Sequence, residues 1–165
     1  MTGGGALELL NDDPIAQQLL TSAIPARLAY IALDGTPRAI PIGQHFTGRS
    51  LVMATAHDAP KVAALQADPA VALTIDDDSH PPLVLLIRGV AAVTIVDGVA
   101  PEYLAASRRS IPPEAWESFE REVNALYERM ARIEITPSWA RVFDFQTRMP
   151  EAVRRLVEAK GSREP

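Results

Sequence analysis

The residues best suited to chemistry lie where a predicted strand runs into a predicted helix, between Thr55 and Lys61. A helix N-terminus presents unpaired backbone N–H groups and the positive end of the helix dipole. The ammonium group of Lys61, in the first turn, and the hydroxyl group of Thr55, at the strand end, add to this environment. The passage therefore predicts a seat for one phosphate group, with an ordinary exposed lysine as the alternative interpretation.

Lysine is a rare cation in this chain. Of the 16 basic residues, only Lys61 and Lys160 are lysines. Two arginines, Arg38 and Arg88, lie on predicted strands with apolar residues on either side. An arginine in such a place either faces solvent or pairs with an anion at a partly buried site. The sequence leaves both interpretations open for each arginine.

Several catalytic patterns are missing from the sequence. No serine stands in a G-x-S-x-G pattern, and neither a P-loop nor a G-x-G-x-x-G motif occurs. The histidines His45, His57 and His80 have no metal-ligand spacing, and the acidic run at 76–78 lacks the glycine and distal glutamate of a calcium loop. The absence of cysteine excludes disulfide and thiolate chemistry. We therefore expect neither a hydrolase triad nor a metal site, and the catalytic residues stay unknown.

Length and composition predict one globular domain over residues 1–165. Of these residues 47% are hydrophobic and 22% charged, which is enough for a core without disulfides. A net charge of -5, without any run of three basic residues, argues against nucleic-acid binding. The longest stretch without a charged residue, 14–26, is too short to span a membrane, and no leader is evident. We expect a cytoplasmic protein that binds neither nucleic acid nor membrane.

The periodicity of apolar residues predicts the elements that must position these side chains. Residues 1–11, with their glycine run, are expected to be disordered, and 161–165 to form a frayed tail. Asp12 or Asp13 is expected to cap a short helix that begins at Pro14. The other predicted helices cover 58–68, with Asp58 as its cap, 112–131 and 150–160. The predicted strands cover 26–33, 37–46, 50–55, 70–76, 82–96 and 132–145. Pro137 predicts that the last strand is either two short strands joined by a kink or an edge strand.

The order of these elements indicates the fold class. Turns at 34–35 and 47–48 connect the first three strands as an antiparallel meander. Helices are inserted only after the third and the fifth strand, and the amphipathic helix 112–131 is expected to cover one end of the sheet. This order favours a mainly β, α+β protein with an antiparallel barrel or strongly curled sheet over a doubly wound sheet.

The same order of short patterns resembles the pyridoxamine 5'-phosphate oxidase-like family of FMN-binding split barrels. The patterns are a D-G turn, the strand PRAIPI, a strand that ends in Ala-Thr, five residues before a lysine, a helix that ends in Asp-Pro, the strand AVALTI and the strand LLIRGVAAV. The resemblance covers roughly residues 15–145. It implies a six-stranded antiparallel split β-barrel with peripheral helices, a homodimer, and a flavin at the dimer interface.

The resemblance also implies roles for particular residues. Thr55 and Lys61 correspond to the phosphate ligands of the family. The strand expected beside the isoalloxazine ring and the ribityl chain, with the backbone making several contacts, consists of Arg38, Ala39, Ile40, Pro41 and Ile42. Trp139 and Arg141 correspond to the late strand that closes the ring site from the other subunit. Packing in the core or at an interface is the alternative interpretation of Trp139.

The chain departs from the family pattern at several positions. Ala59 and Pro60 stand where many relatives have Ser-Arg, which removes a second cation from the phosphate site. Val84 stands where relatives often have a polar residue on the fifth strand. Gly43 and Gln44 replace an aromatic pair that many relatives carry after the proline of the second strand. The helix 58–68 carries no arginine, which counts against the 8-hydroxy-5-deazaflavin coenzyme because its polyglutamyl tail favours a basic rim.

The function that the resemblance implies is FMN-dependent oxidoreduction in a homodimer. Hydride would pass between flavin N5 and a small planar substrate, and no protein acid or base is required for that step. Oxidation of pyridoxamine phosphate itself is not expected, because the C-terminal part shows no second phosphate site. One alternative is a reductase that uses the 8-hydroxy-5-deazaflavin coenzyme. Another is a non-catalytic protein that binds flavin or haem, with His57 or His45 as the haem ligand.

Overall fold

The computed structural model describes residues 4–161 and, within them, shows an antiparallel sheet of seven strands with six α-helices. The strands are β1 (Ala26–Ile31), β2 (Pro37–Ile42), β3 (His45–Phe46), β4 (Leu51–Ala56), β5 (Ala70–Asp76), β6 (Val84–Asp97) and β7 (Arg129–Phe143). The helices are α1 (Gly4–Asp12), α2 (Pro14–Thr21), α3 (Pro60–Ala67), α4 (Pro101–Ser107), α5 (Trp116–Leu126) and α6 (Glu151–Gly161). A single 3₁₀ turn (Pro113–Ala115) precedes α5.

The sheet is curled so that its two edges meet. The strand order is β2-β1-β5-β6-β7-β4-β3, with β2 at one edge and β3 at the other. These edge strands are consecutive in the chain, and only Gly43 and Gln44 separate them. Because such a connection spans at most about 11 Å, the edges come together at that point. The predicted fold class, a mainly β antiparallel split barrel with peripheral helices, is confirmed.

The predicted count of six strands is wrong, because the predicted strand 37–46 is two strands in the structure. The chain leaves β1 after Ile42 and pairs with β4 from His45 onward. Between them Gln44 is only 1% exposed, and its Nε2 donates a hydrogen bond of 2.8 Å to the carbonyl oxygen of Leu20. A backbone that crosses from one edge of the sheet to the other cannot keep one pairing partner, so the strand ends.

Pro137 neither splits the last strand nor places it at an edge, so both predictions for this segment are wrong. β7 is continuous and lies between β6 and β4. Arg88 pairs with Trp139 while Gly89 pairs with Pro137, which leaves Ser138 as the extra residue of a β-bulge. The bulge accommodates a residue without an N–H group inside the sheet, as bulges commonly do for proline.

The N-terminal segment is helical from Gly4, so the expected disorder of residues 1–11 is wrong for most of that range. Ala6 and Leu10 of α1 are buried, and the Asn11 side chain donates a hydrogen bond of 3.0 Å to the carbonyl oxygen of Gly48. The Asp13 side chain caps α2 because it accepts hydrogen bonds from the backbone N–H groups of Ile15 and Ala16, so the predicted cap is confirmed. Residues 1–3 and most of the predicted tail, 162–165, lie outside the described residues.

Two corrections concern the other helices. Asp58 does not cap α3, which begins at Pro60 after Ala59 and has no side-chain cap. The predicted helix 112–131 ends early: β7 begins at Arg129 because Met130 pairs with Ala56 across the sheet. The predictions also missed α4, which packs against β4 and β3 beside the split.

The main core lies inside the curl and is closed by α1, α2 and α3. Its largest fully buried side chains come from five strands and from these helices. They are Leu10, Leu19, Leu20, Leu28, Leu51, Met53, Leu65, Ile75, Leu85, Ile87 and Ile133. The opposite, outer side of β2, β1, β5 and β6 carries exposed residues instead.

Candidate functional site

Thr55 and Lys61 meet at the end of β4. Thr55 pairs with Ala131 of β7, and Lys61 is the second residue of α3. The Nζ atom of Lys61 donates a hydrogen bond of 3.3 Å to the Oγ1 atom of Thr55. Within residues 4–161 no carboxylate lies within ion-pair distance of Lys61. A partly buried ammonium group beside a hydroxyl group, without a counter-ion, has the donors that a phosphate group requires.

The predicted flavin strand is the edge strand β2, which pairs only with β1. Ile40 and Ile42 pack partly against the core, whereas Ala39 and Pro41 are exposed. Arg38 is held by the preceding turn, since its guanidinium group donates to Asp34 at 2.8 Å and to the hydroxyl of Thr36. The five residues therefore lie along one unpaired edge of the sheet. The Arg38 guanidinium group forms a local ion pair with Asp34.

In the turn before β2 the charges of Asp34 and Arg38 neutralise each other. Hydrogen bonds from the Thr36 side chain and backbone, together with Arg38, lower the pKa of Asp34 to about 2. The Asp34–Arg38 pair is exposed, with about half of each side chain accessible. Exposed pairs of this kind contribute little to stability. Arg38 could consequently be released to another anion at low cost.

Trp139 and Arg141 lie far from Thr55 within one chain. Trp139 is eight residues along β7 from Ala131, the partner of Thr55, which corresponds to about 25 Å of strand. The guanidinium carbon of Arg88 lies 4.5 Å from the centre of the Trp139 ring. That of Arg141 lies 4.9 Å from the Phe143 ring. Trp139 and Arg141 therefore lie toward the opposite end of β7 from Thr55 and Lys61.

A row of paired residues runs from β2 to Trp139 across five strands. Residues that pair directly in an antiparallel sheet point to the same face. The row consists of Ala39, Ala29, Ala72, Arg88 and Trp139. Next to this row on the same strands, Ile31 and Val90 are 39% and 53% exposed. We call the surface formed by the row together with Ile31 and Val90 the outer face.

A cavity of about 450 Å³ opens at the split. It lies between the end of α2, the β2–β3 connection and α4. Gln44 and Arg109 line it, and neither was predicted as a site residue. Arg109 donates hydrogen bonds through its two Nη atoms to the carbonyl oxygens of Leu20 and Gln44. Burial lowers the pKa of the Arg109 guanidinium group.

An ion-pair network holds α4 next to this cavity. Arg132 on β7 donates to Glu102 of α4 at 2.8 Å and to Glu134 at 2.7 Å. Glu134 also accepts a hydrogen bond of 2.8 Å from Ser50. Hydrogen bonds from Arg132 lower the pKa of both carboxyl groups, so both are ionised at neutral pH. This network fixes the helix that carries Tyr103 into the wall of the cavity.

No group of three or more His, Asp or Glu side chains between residues 4 and 161 could hold a metal ion. In the same range no helix is long and apolar enough to cross a membrane.

The fold and the order of its strands place this protein in the class of split-barrel proteins. The family model for pyridoxamine 5'-phosphate oxidase matches residues 13–144, and the chain belongs to this family. No curated protein matches the chain.

Solved structures agree with the fold. An F420 reductase is 21% identical, with a TM-score of 0.53, and the match covers 76% of this chain and 94% of that one. A conserved hypothetical protein from Mycobacterium tuberculosis is 19% identical, with a TM-score of 0.61 and coverages of 82% and 86%. General Stress Protein 26 from Bacillus anthracis is 13% identical, with a TM-score of 0.57 and coverages of 79% and 92%. At these identities the likeness concerns the fold alone.

Proposed function

We propose that the protein is a flavin-dependent oxidoreductase that binds FMN and acts on a small planar substrate. The observation that carries this proposal is the contact between Lys61 and Thr55, with no carboxylate of the described residues within ion-pair distance of Lys61. In a chain of the pyridoxamine 5'-phosphate oxidase family, this pair is suited to a flavin phosphate group. Bound FMN supplies the hydride chemistry at its N5 atom.

In this mechanism the protein binds and orients the cofactor. Lys61 and Thr55 hold the phosphate group, and the free edge of β2, from Arg38 to Ile42, offers main-chain groups to the flavin. The apolar side chains of Ile40 and Ile42 exclude water from the core side of the strand. No described acid or base has to transfer a proton, which agrees with the absence of a catalytic constellation in the sequence.

The proposal includes a homodimer in which the second copy completes each site. Trp139 lies about 25 Å and Arg141 about 30 Å along β7 from the phosphate seat, so one chain does not bring both groups to one flavin. The outer face contains the exposed apolar side chains of Ile31 and Val90 and the partly exposed ring of Trp139. Such a surface is typical of a protein interface. A second copy would place its Trp139 and Arg141 beside the flavin.

The test is a visible spectrum of the purified protein, followed by titrations with FMN and with the deazaflavin coenzyme. We expect FMN to bind more tightly than 100 micromolar, which corresponds to about 5.5 kcal/mol. Tighter binding of the deazaflavin coenzyme would favour the reductase alternative, and a Soret band would favour haem binding. If neither flavin binds at that level, both enzyme interpretations are wrong.

Lys61→Ala tests the phosphate seat directly. We expect the free energy of FMN binding to become less favourable by about 1.5 to 3 kcal/mol, because a hydrogen bond to a charged group is lost. Lys160→Ala is the matched control, since Lys160 is the only other lysine and lies on the exposed helix α6. The measurement is a fluorescence titration of FMN. An unchanged affinity in Lys61→Ala would mean that the phosphate binds elsewhere.

A further inference from the structure

Arg109 is a half-buried cation without a counter-ion at the cavity of the split. Its two Nη atoms donate to backbone carbonyl oxygens, and its Nε atom has no hydrogen-bond partner among the described residues. In residues 4–161 no carboxylate lies within ion-pair distance of it. A charge that is removed from water without an opposite charge is costly. The neighbouring cavity is therefore suited to an anion.

Gln44 adds an unpaired acceptor to the same cavity. The side chain is 1% exposed, and its Nε2 atom is occupied by the carbonyl oxygen of Leu20. Its Oε1 atom is buried and has no partner within the described residues. Buried acceptors normally have a hydrogen-bond partner, so this atom requires a donor. The serine side chains around the cavity, which can also bind polar groups, are Ser22, Ser107 and Ser110.

The rest of the cavity suits a small planar molecule. Its volume of about 450 Å³ is in the range of small-molecule sites. Ile24, Ile42 and Tyr103 provide apolar and aromatic walls. Ile42 ends the strand β2 and Ala54 lies on β4, so the cavity adjoins these two strands, on the face of β4 opposite to the Thr55 side chain.

We propose that this cavity is the substrate site and that it takes a small planar carboxylic acid. The carboxylate binds Arg109, beside the buried Gln44 side chain. This inference rests on the proposed oxidoreductase function, because it assigns the substrate class of that same site. The competing explanation is purely structural: Arg109 and Gln44 only fix the carbonyl group of Leu20 at the end of α2.

Benzoate, benzamide and benzylamine are suitable probes because they share one ring and differ in charge. Binding to the wild-type protein is measured by saturation-transfer NMR and calorimetry. We expect benzoate to bind about tenfold or more tightly than neutral benzamide, and benzylamine not to bind, as for one charge-assisted hydrogen bond. This comparison needs no variant. Equal binding of benzoate and benzamide, or no benzoate binding at millimolar concentration, overturns the proposal.

Variants at position 109 separate the charge from the structural role. Arg109→Gln keeps a donor for the carbonyl groups but removes the charge, and we expect benzoate affinity to fall about tenfold or more. Arg109→Lys restores the charge and is expected to recover most of the affinity. Arg108→Gln is the matched control, because the Arg108 guanidinium lies 4.2 Å from the Trp116 ring and not in the cavity. Unchanged binding in Arg109→Gln, or equal loss in Arg108→Gln, contradicts the proposal.

Titrating FMN into the same proteins distinguishes the two proposals. If FMN binds but the affinity for benzoate does not depend on Arg109, the substrate assignment is wrong and the proposed function stands. If benzoate binding depends on Arg109 while no flavin binds, the anion site stands and its assignment to an oxidoreductase falls.

Discussion

Gly89 lies where β6 and β7 come too close for any side chain. A Cβ atom at this position would be 2.5 Å from the carbonyl oxygen of Thr136 and 2.9 Å from Cγ2 of Ile135. The position is also buried and adjoins the bulge at Ser138. Both atoms belong to the neighbouring strand β7, and the backbone oxygen of Thr136 cannot rotate away. The strands would have to separate to accommodate even a methyl group.

We therefore expect Gly89→Ala to lower the free energy of unfolding by about 1 to 3 kcal/mol, as for overpacking in a close-packed interior. Urea unfolding followed by circular dichroism at fixed protein concentration measures this. Gly5→Ala is the matched control, because nothing lies within 4 Å of a Cβ atom at this position in α1. The control should be neutral or slightly stabilising, since alanine favours helix over glycine. A Gly89→Ala protein as stable as wild type would contradict the close approach.

The residues of the site differ in how far they could be predicted. Thr55 and Lys61 are six positions apart, on either side of one strand-to-helix turn, so local sequence is enough to bring them together. Arg109 and Gln44 are 65 positions apart and meet only through packing of α4 against the β3 edge. No local pattern marks such a pair. The only sequence signal at these positions was that Gly43 and Gln44 replace an aromatic pair of the family pattern.

At the scale of elements, α1 shows how packing overrides local tendency. Its two described glycines disfavour a helix, yet Ala6 and Leu10 are buried and the helix packs against β7. Short helices in proteins take most of their stability from such packing rather than from propensity. The glycine run was therefore a misleading signal, and the apolar residues that follow it were the informative one.

Leu10→Ala tests whether α1 is part of the folded core. Leu10 is fully buried in the main core, so we expect the free energy of unfolding to fall by about 2 to 5 kcal/mol. Glu8→Ala, at an exposed position of the same helix, is the control and should stay within about 0.5 kcal/mol of wild type. Thermal and urea unfolding give both values. A loss in Leu10→Ala no larger than in the control would mean that the N-terminal segment does not pack on the barrel.

The strand and helix boundaries were wrong where long-range pairing decided them. Residues 127–131 continue the apolar spacing of a helix, but Met130 and Ala131 are needed to pair with β4. Pro137 looked like an edge signal, but its missing N–H group is tolerated by the bulge opposite Gly89. In both places the partner strand is distant in sequence. The short apolar runs of β1, β4, β5 and β6, by contrast, are local and were sufficient to predict those strands.

At the scale of the whole molecule, the outer face is the surface that a single chain leaves without cover. It extends over five strands, and its exposed apolar members include Ile31 and Val90. Arg88 and Arg141 on the same side lie over aromatic rings and have no carboxylate partner within residues 4–161. The helix α6 likewise exposes Leu156 at 70%. The second copy that we propose would also account for the separation of Trp139 from the phosphate seat.

Val90→Glu tests this arrangement. Val90 is 53% exposed in the single chain, so the substitution should leave the folded protomer intact. In a dimer formed through the outer face it would bury an unpaired carboxylate, which costs several kcal/mol. We expect sedimentation velocity to show a wild-type dimer and a Val90→Glu monomer. FMN affinity should fall in the same variant, because Trp139 and Arg141 of the second copy are lost.

Leu33→Glu is the matched control for the dimer. Leu33 is 69% exposed in the hairpin loop between β1 and β2, beyond the paired rows of the sheet. The same charge there should leave both the dimer and the FMN affinity unchanged, which separates an effect at the interface from one of net charge. A wild-type monomer that binds FMN would show that one chain forms the site alone. A Val90→Glu dimer with normal FMN binding would instead place the interface on another surface, with α6 as the next candidate because its apolar side is exposed.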